Sequence, residues 1–133
     1  MTHAFSNNLK PNARRHRGLE AEDWALEWLQ SQQLTLLMRN FKSPGRGGGE
    51  IDLIMREPDT TVVFVEVRLR TRQSWGGAAA SVSQTKQQRL IFAARHYLMR
   101  MPAHTHCRFD VVALHQWPPS IHHADWIRGA FCL

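Results

Sequence analysis

Two acidic residues in strongly apolar segments carry the chemical signal of this chain. Asp52 lies in the segment 50–54, and Glu66 lies in the segment 64–70. A strand buried between layers normally avoids ionised carboxylates, because removing them from water is costly. A bound cation, neighbouring arginines or an exposed strand end would offset that cost. The first explanation predicts a metal site.

The spacing of the two segments predicts that the carboxylates face each other. Alternate side chains of a strand point to opposite faces, and directly opposed residues of an antiparallel pair project to the same side. Asp52 therefore faces Glu66 only if the hairpin loop around Pro58 to Thr60 has an odd number of residues. The same register sets Glu50 opposite Arg68. We expect this register, and a hairpin with Asp52 and Glu66 on opposite faces would exclude a shared metal.

Facing carboxylates of this kind suit a small hard cation, Mg²⁺ or Mn²⁺. Mg²⁺ accepts one or two carboxylates together with water and phosphate oxygens. A cation so held polarises a phosphodiester and lowers the pKa of a bound water, which is the chemistry of phosphodiester hydrolysis. A cationic side chain beside the metal would orient water and stabilise the transition state.

The elements that must position these residues follow an α/β pattern. From Gly18 to about Gln33, and again from Ser83 to Arg100, apolar residues recur at intervals of three and four residues. This spacing predicts two amphipathic helices. The predicted strands are 34–38, the two hairpin segments, and 108–114, and the helix before 108 makes a crossover that predicts a parallel neighbour. Residues 121–131 are a weakly patterned final strand or an extended tail. The prediction is a single mixed sheet with helices packed on it.

Three further residues are candidates for the site. Glu22 borders the buried face of the first helix and could point into a site, although the helix dipole also favours an acid in the first turns. Lys86, near the start of the second helix, either is a solvated lysine or supplies an ammonium to the site. Arg46 is available for phosphate in the loop 44–49, whose glycines we expect to give flexibility and close approach to a ligand. These glycines open a strand, which disfavours a P-loop.

Length and composition limit the class of protein. The length of 133 residues predicts one domain, at 18–133, after a basic, mobile tail at 1–17. A formal charge of +6 and a pI near 10.4 favour a polyanionic partner, nucleic acid or an acidic membrane surface. No apolar run is long enough to span a bilayer and the start lacks a signal-peptide pattern, so we expect a cytoplasmic protein.

The cysteines and histidines carry less information. Cys107 and Cys132 are expected to be reduced thiols, and the histidines near them match no familiar zinc spacing. Residues 73–82 are predicted to form a Gly- and Ala-rich loop in which Trp75 serves as an anchor.

The motifs Gly-Gly-Glu-Ile-Asp-Leu-Ile at 48–54 and Val-Phe-Val-Glu-Val-Arg-Leu-Arg at 63–70 resemble a known family. They are similar to the YraN-like uncharacterised bacterial family, which is placed among the PD-(D/E)xK nucleases and related to archaeal Holliday junction resolvases. Other residues stand where that family has recurrent ones: Gly18, Glu22, Ala25, Arg39, Asn40, Lys86, Arg108 to Asp110, Ala130 and Phe131.

The resemblance implies a restriction-endonuclease-like α/β fold and a role for each site residue. Asp52 and Glu66 would be the metal ligands, joined by the backbone carbonyl of Val67, and Glu22 would approach from the first helix. The family pattern has lysine at position 68, where this chain has Arg68. An arginine holds phosphate, but its planar fork replaces a compact ammonium poorly.

Two functions of different class follow. The first is a Mg²⁺-dependent DNA endonuclease acting on branched or irregular DNA, with Glu22, Asp52, Glu66, Arg68 and Lys86 as catalytic residues. Arg46, Arg70 and Lys86 would contact the nucleic acid. The second is a DNA-binding module on a nuclease-like fold with little or no activity. A protein-interaction adaptor is a third reading, and a two-fold homodimer would suit a symmetric junction by analogy.

Overall fold

Two helices pack on opposite faces of a five-stranded sheet in a computed structural model that describes residues 11–70 and 82–133. The fold is a single mixed α/β sheet flanked by helices, consistent with a restriction-endonuclease-like fold. The elements, in chain order, are α1 (Pro11–Ser31), β1 (Thr35–Lys42), β2 (Glu50–Arg56), β3 (Val62–Leu69), α2 (Gln84–Leu98), β4 (Cys107–Leu114), a 3-10 turn (Ile121–His123) and β5 (Ala124–Phe131).

The strands lie in the order β1-β2-β3-β4-β5. All neighbouring pairs are antiparallel except β3 and β4, which are parallel and joined through α2. This confirms the parallel placement predicted from the crossover. The parallel pair lies at the centre of the sheet, where helices cover both of its faces.

The hairpin register is the one predicted from side-chain parity. Leu53 pairs with Val65 and Arg56 pairs with Val62, which leaves a five-residue loop at 57–61. Asp52 and Glu66 are thereby placed on the same side of the hairpin. The paired section ends at Leu53 and Val65, so Glu50 and Arg68 lie beyond it, and Glu50 pairs with Lys42 of β1 instead.

Each face of the sheet has its own apolar core. Ala21, Ala25 and Leu29 of α1 pack in one cluster with sheet residues such as Val63 and Val65. The cluster on the other face joins Leu90, Ala93, Ala94 and Tyr97 of α2 to sheet residues such as Phe64, Phe109 and Val111. The helix stripes predicted from periodicity supply these buried residues, because spacing by three and four places them on one side of a helix.

Several element boundaries differ from the predictions. Helix α1 begins at Pro11, seven residues before the predicted Gly18, so the end of the predicted tail is helical. Strand β1 continues to Lys42, because pairing with β2 extends it beyond its apolar run. The final segment is a strand after a short 3-10 turn, since β5 pairs with β4. The rest of the predicted tail, and the predicted loop with Trp75 apart from Val82, lie outside the described residues.

The alternation of faces breaks in the middle of β1. Arg39 contacts α1, whereas Phe41, two residues later, packs against Tyr97 of α2 with ring centroids 5.4 Å apart. In a regular strand these two side chains would share a face. The residue between them, Asn40, has a φ of 52°, in the left-handed region. This local reversal turns the end of β1 toward α2.

A buried polar network joins β4, β5 and the hairpin loop. Asp110 is 1% exposed and accepts hydrogen bonds from Arg108 Nε at 3.0 Å, Trp126 Nε1 at 2.9 Å and Gly129 N at 3.0 Å. Arg108 also contacts Glu57 at 2.8 Å. The ion pairs compensate for the burial of the Asp110 carboxylate.

Neither of the α-helices in the described residues offers an apolar stretch of the length needed to cross a membrane.

Candidate active site

An open cavity of about 430 Å³ lies between α1, the ends of β2 and β3, and the start of α2. Six of the sequence-predicted site residues line it: Glu22, Asp52, Glu66, Arg68, Arg70 and Lys86. They come from four different elements, so the fold brings together residues that are far apart in the chain. Arg46 is exposed in the loop between β1 and β2 and does not line this cavity.

The Asp52 and Glu66 carboxyl groups lie close enough that a hydrogen bond between them, donated by a protonated carboxyl group, contributes to the pKa of Asp52. The Val67 amide donates to Asp52 Oδ2 at 2.9 Å, just beyond the last paired residues of the hairpin. Burial first, and then the charge and the hydrogen bond of Glu66, raise the pKa of Asp52 to about 9. Asp52 therefore stays protonated at neutral pH, as expected where two carboxyl groups share one buried site.

Lys86 lies at this pair. Its Nζ atom is 3.0 Å from Glu66 Oε2, and Glu66 is only 6% exposed. Ser83 caps α2 by accepting a hydrogen bond from the Lys86 amide, which places Lys86 in the first turn of the helix. Of the two alternatives for Lys86, the structure therefore favours the ammonium directed to the site. The ion pair meets part of the cost of burying Glu66.

Glu22 occupies the α1 wall of the cavity. Its side chain is 13% exposed and lies 3.6 Å from Arg39, which also contacts Asp23 at 2.7 Å. Burial raises the pKa of Glu22, and the charge of Arg39 opposes this effect. Because α1 begins at Pro11, Glu22 lies about three turns into the helix, where the dipole of the helix terminus has little effect. The alternative of a first-turn acid is thus removed.

Sequence reasoning missed the structural part that Asn40 plays at this site. In the amide orientation that satisfies its surroundings, Asn40 Nδ2 donates to Glu22 Oε1 at 2.9 Å and to Glu50 Oε1 at 3.1 Å. The available signal was Asn40 itself, which stands where the resembled family has a recurrent residue and which adopts the left-handed conformation more readily than most residues.

The glycine loop makes its close contacts with the protein itself. Gly49 N donates to Arg89 O of α2 at 3.1 Å, and a Cβ atom at Gly48 would lie 1.8 Å from Ser43 Oγ. At these two positions the close approach observed is to α2 and Ser43, and the expected approach to a ligand stays a prediction. Gly45 and Gly47 have φ values of 80° and 96°, which explains glycine there.

In the described part of the chain, no three His, Cys, Asp or Glu side chains are grouped closely enough to hold a metal by themselves. This gives no support to a zinc site at the C-terminal histidines. It also means that Asp52 and Glu66 form a pair without a third preformed carboxylate ligand. Such a pair matches Mg²⁺ better than metals that need a complete protein cage, because Mg²⁺ retains water and phosphate ligands.

Comparison with known proteins supplies the family. The model of the uncharacterised protein family UPF0102 matches residues 21–114. A UPF0102 protein of Albidiferax ferrireducens is 62% identical over 114 residues, covering 86% of this chain and 85% of the relative. One from Verminephrobacter eiseniae is 55% identical over 86% of this chain and 77% of its own length, and one from Cupriavidus taiwanensis is 47% identical over 98% and 93%. The chain therefore belongs to the UPF0102 family.

Proposed function

We propose that this protein is a divalent-metal-dependent endonuclease that hydrolyses phosphodiester bonds of branched or irregular DNA. The observation that carries the proposal is the convergence of Asp52, Glu66 and Lys86 at one open cavity, with the ammonium 3.0 Å from the Glu66 carboxylate. A carboxylate pair that can hold a divalent cation, with an ammonium beside it, is a set of groups suited to phosphodiester hydrolysis.

The residues present fit Mg²⁺ or Mn²⁺. Glu66 Oε2 is buried and receives no aligned hydrogen bond, although Lys86 is close to it. Asp52 uses Oδ2 for the Val67 amide and shares a proton with Glu66. A divalent cation would replace that proton and neutralise the pair, with Asp52 and Glu66 as its carboxylate ligands.

The other cavity residues would act on the phosphate. When bound, the cation supplies polarisation of the phosphodiester and a more acidic water. Lys86 offers an ammonium that orients water at Glu66 and offsets developing charge. Arg68 and Arg70 line the same cavity and would hold phosphate oxygens through their guanidinium groups. Lys86 thus takes the part that the family pattern assigns to a lysine at position 68.

DNA is the proposed substrate because of charge and resemblance. The chain carries a formal charge of +6, and three of the cavity residues are cationic. Electrostatic attraction of this kind favours nucleic acid in a salt-dependent manner. The preference for branched DNA comes from the resemblance to junction resolvases, and a homodimer would match a two-fold junction.

The decisive experiment is a cleavage panel over linear, flap and four-way DNA with Mg²⁺ or Mn²⁺. Asp52→Asn and Glu66→Gln are expected to lower the rate by about a hundredfold or more, because each removes a carboxylate of the pair. Asp59→Asn, in the exposed hairpin loop, is the matched control and should cleave like the wild type. Cleavage that persists in both site variants would refute the assignment.

Lysine and arginine variants test the part given to Lys86. Lys86→Ala should lower the rate by about a hundredfold, whereas the exposed Lys42→Ala, with the same change in charge, should not. Arg68→Lys should restore activity in the Lys86→Ala background and change little in the wild type, where an ammonium is already present. Absence of rescue together with an active Lys86→Ala variant would show that no ammonium is needed.

A DNA-binding module without catalysis is the second candidate, and the observation that favours it is Arg68 at the family's lysine position. It predicts salt-sensitive DNA binding without metal-dependent cleavage. Affinity would then persist or rise when both carboxylates are neutralised, as in Asp52→Asn combined with Glu66→Gln, because the negative charge of the pair near phosphate is removed. A flat DNA titration at low salt would exclude both candidates and favour the adaptor.

A further inference from the structure

We infer that Asn40 is a positioning residue that fixes Glu22 beside the carboxylate pair, through its left-handed backbone and through a two-proton amide that also holds Glu50 of β2. The inference rests on the proposed phosphodiesterase function and adds a residue to that site. Through these contacts Asn40 would hold β1, β2 and α1 in place around the cavity.

The backbone of Asn40 determines where Asp52 lies. The pairs on either side, Arg39 with Leu53 and Phe41 with Ile51, place Asn40 opposite Asp52. The alternation of faces fails on both strands at this point, because Leu53 packs in the α1 cluster and Ile51 in the α2 cluster. The φ of 52° at Asn40 is the local cause on β1. Asp52 therefore sits at a break in the sheet, where its carboxylate reaches the Val67 amide.

The side chain of Asn40 holds the α1 wall. Its single amide nitrogen contacts a carboxylate of α1, Glu22 at 2.9 Å, and one of β2, Glu50 at 3.1 Å. An amide nitrogen has two hydrogens and can satisfy both acceptors without adding charge. Arg39 approaches Glu22 from the neighbouring position at 3.6 Å. Glu22 is thus held by two consecutive residues of β1.

Asn combines two requirements that few side chains meet. The left-handed conformation is readily adopted by Gly, Asn and Asp. Only Asn among these carries a donor, and Asp would place a third carboxylate against Glu22 and Glu50. Asn40→Gly therefore keeps the backbone and removes the donor, and Asn40→Asp keeps the backbone and reverses the polarity of the contact.

The first arm of the test measures the contact directly, without activity. In ¹⁵N-labelled metal-free protein, the Asn40 side-chain amide signals are identified by their loss in Asn40→Gly. They should shift in Glu22→Ala and in Glu50→Ala, because each variant removes one acceptor. Signals that stay in place in both variants would overturn the inference, whatever the cleavage result.

The second arm measures positioning. Asn40→Gly should fold and bind DNA with an unchanged KM, and its kcat should fall by about tenfold or more, as for other residues that orient a metal site through its neighbours. The kcat of Asn40→Asp should fall at least as far. Gln33→Gly is the matched control, because Gln33 also has a positive φ, 74°, but lies just after the C-terminal end of α1. This variant should leave kcat unchanged.

The outcomes separate the two proposals. Shifted amide signals with a lowered kcat support both. Shifted signals in a wild-type protein that does not cleave support the holding of Glu22 and Glu50 by Asn40 and refute the proposed function. Wild-type kcat in Asn40→Gly, in a protein that cleaves, overturns the positioning by Asn40.

Discussion

Asp52→Asn should stabilise the metal-free protein, by an amount that grows with pH. An asparagine imitates the protonated form of Asp52, because its oxygen can accept from the Val67 amide and its nitrogen can donate to Glu66. Both are contacts that the folded protein already makes at this position. The substitution thus keeps the shape and hydrogen bonds of the site while removing the need for a proton.

The magnitude follows from the raised pKa of Asp52. Burial and the neighbouring Glu66 raise this pKa to about 9, whereas an aspartate in an unfolded chain titrates near 3.9. Between these values the folded state binds one more proton than the unfolded state, so the free energy of unfolding falls as pH rises, by about 1.36 kcal/mol per pH unit. From about pH 6 to about pH 8 the wild type should lose about 2.7 kcal/mol relative to Asp52→Asn.

Urea unfolding followed by tryptophan fluorescence measures this difference, with EDTA present to exclude divalent cations. Asp59→Asn is the control, because the hydrogen bonds that the Asp59 carboxylate accepts from Thr61 lower its pKa, and that carboxylate stays ionised throughout this range. A gap between wild type and Asp52→Asn that does not change with pH would refute the shared proton. Adding Mg²⁺ should stabilise the wild type and not the variant.

Three further predictions concern the frame of the site. Asp110→Ala should lower the free energy of unfolding in urea by about 3 kcal/mol, because Arg108, Trp126 and the Gly129 amide lose their buried acceptor. The control Asp125→Ala removes an exposed carboxylate and should lower it by less than about 1 kcal/mol. Gly129→Ala should lower the free energy of unfolding by about 1 kcal/mol, because Gly129 has a φ of 62°, which alanine adopts at a cost. No steric clash adds to this cost, since a Cβ atom at this position has no other atom within 4 Å. An unchanged melting temperature would contradict this. DNA affinity should fall steeply with salt, with a shallower slope in Arg70→Ala, and an unchanged slope would remove Arg70 from the phosphate contacts.

The hairpin was predictable because strand geometry is local. Side chains alternate along any strand, so parity alone related Asp52 to Glu66 and required the odd loop that is observed. The helix stripes and the parallel placement of β4 followed from equally local rules of periodicity and crossover connection. The start of α1 was missed because residues 11–17 carry little apolar pattern.

The sequence by itself thus determined the register of the hairpin, the facing of two carboxylates and the parallel direction of β4. Only the tertiary structure decided what surrounds them. The packing of α2 on the sheet brings Lys86 to Glu66, and the packing of α1 on the other face brings Glu22 to the same cavity. The left-handed conformation of Asn40 interrupts the alternation of side chains between the two faces of β1, which a prediction from strand geometry takes to be regular. These placements depend on contacts between distant segments, which no rule of local spacing contains.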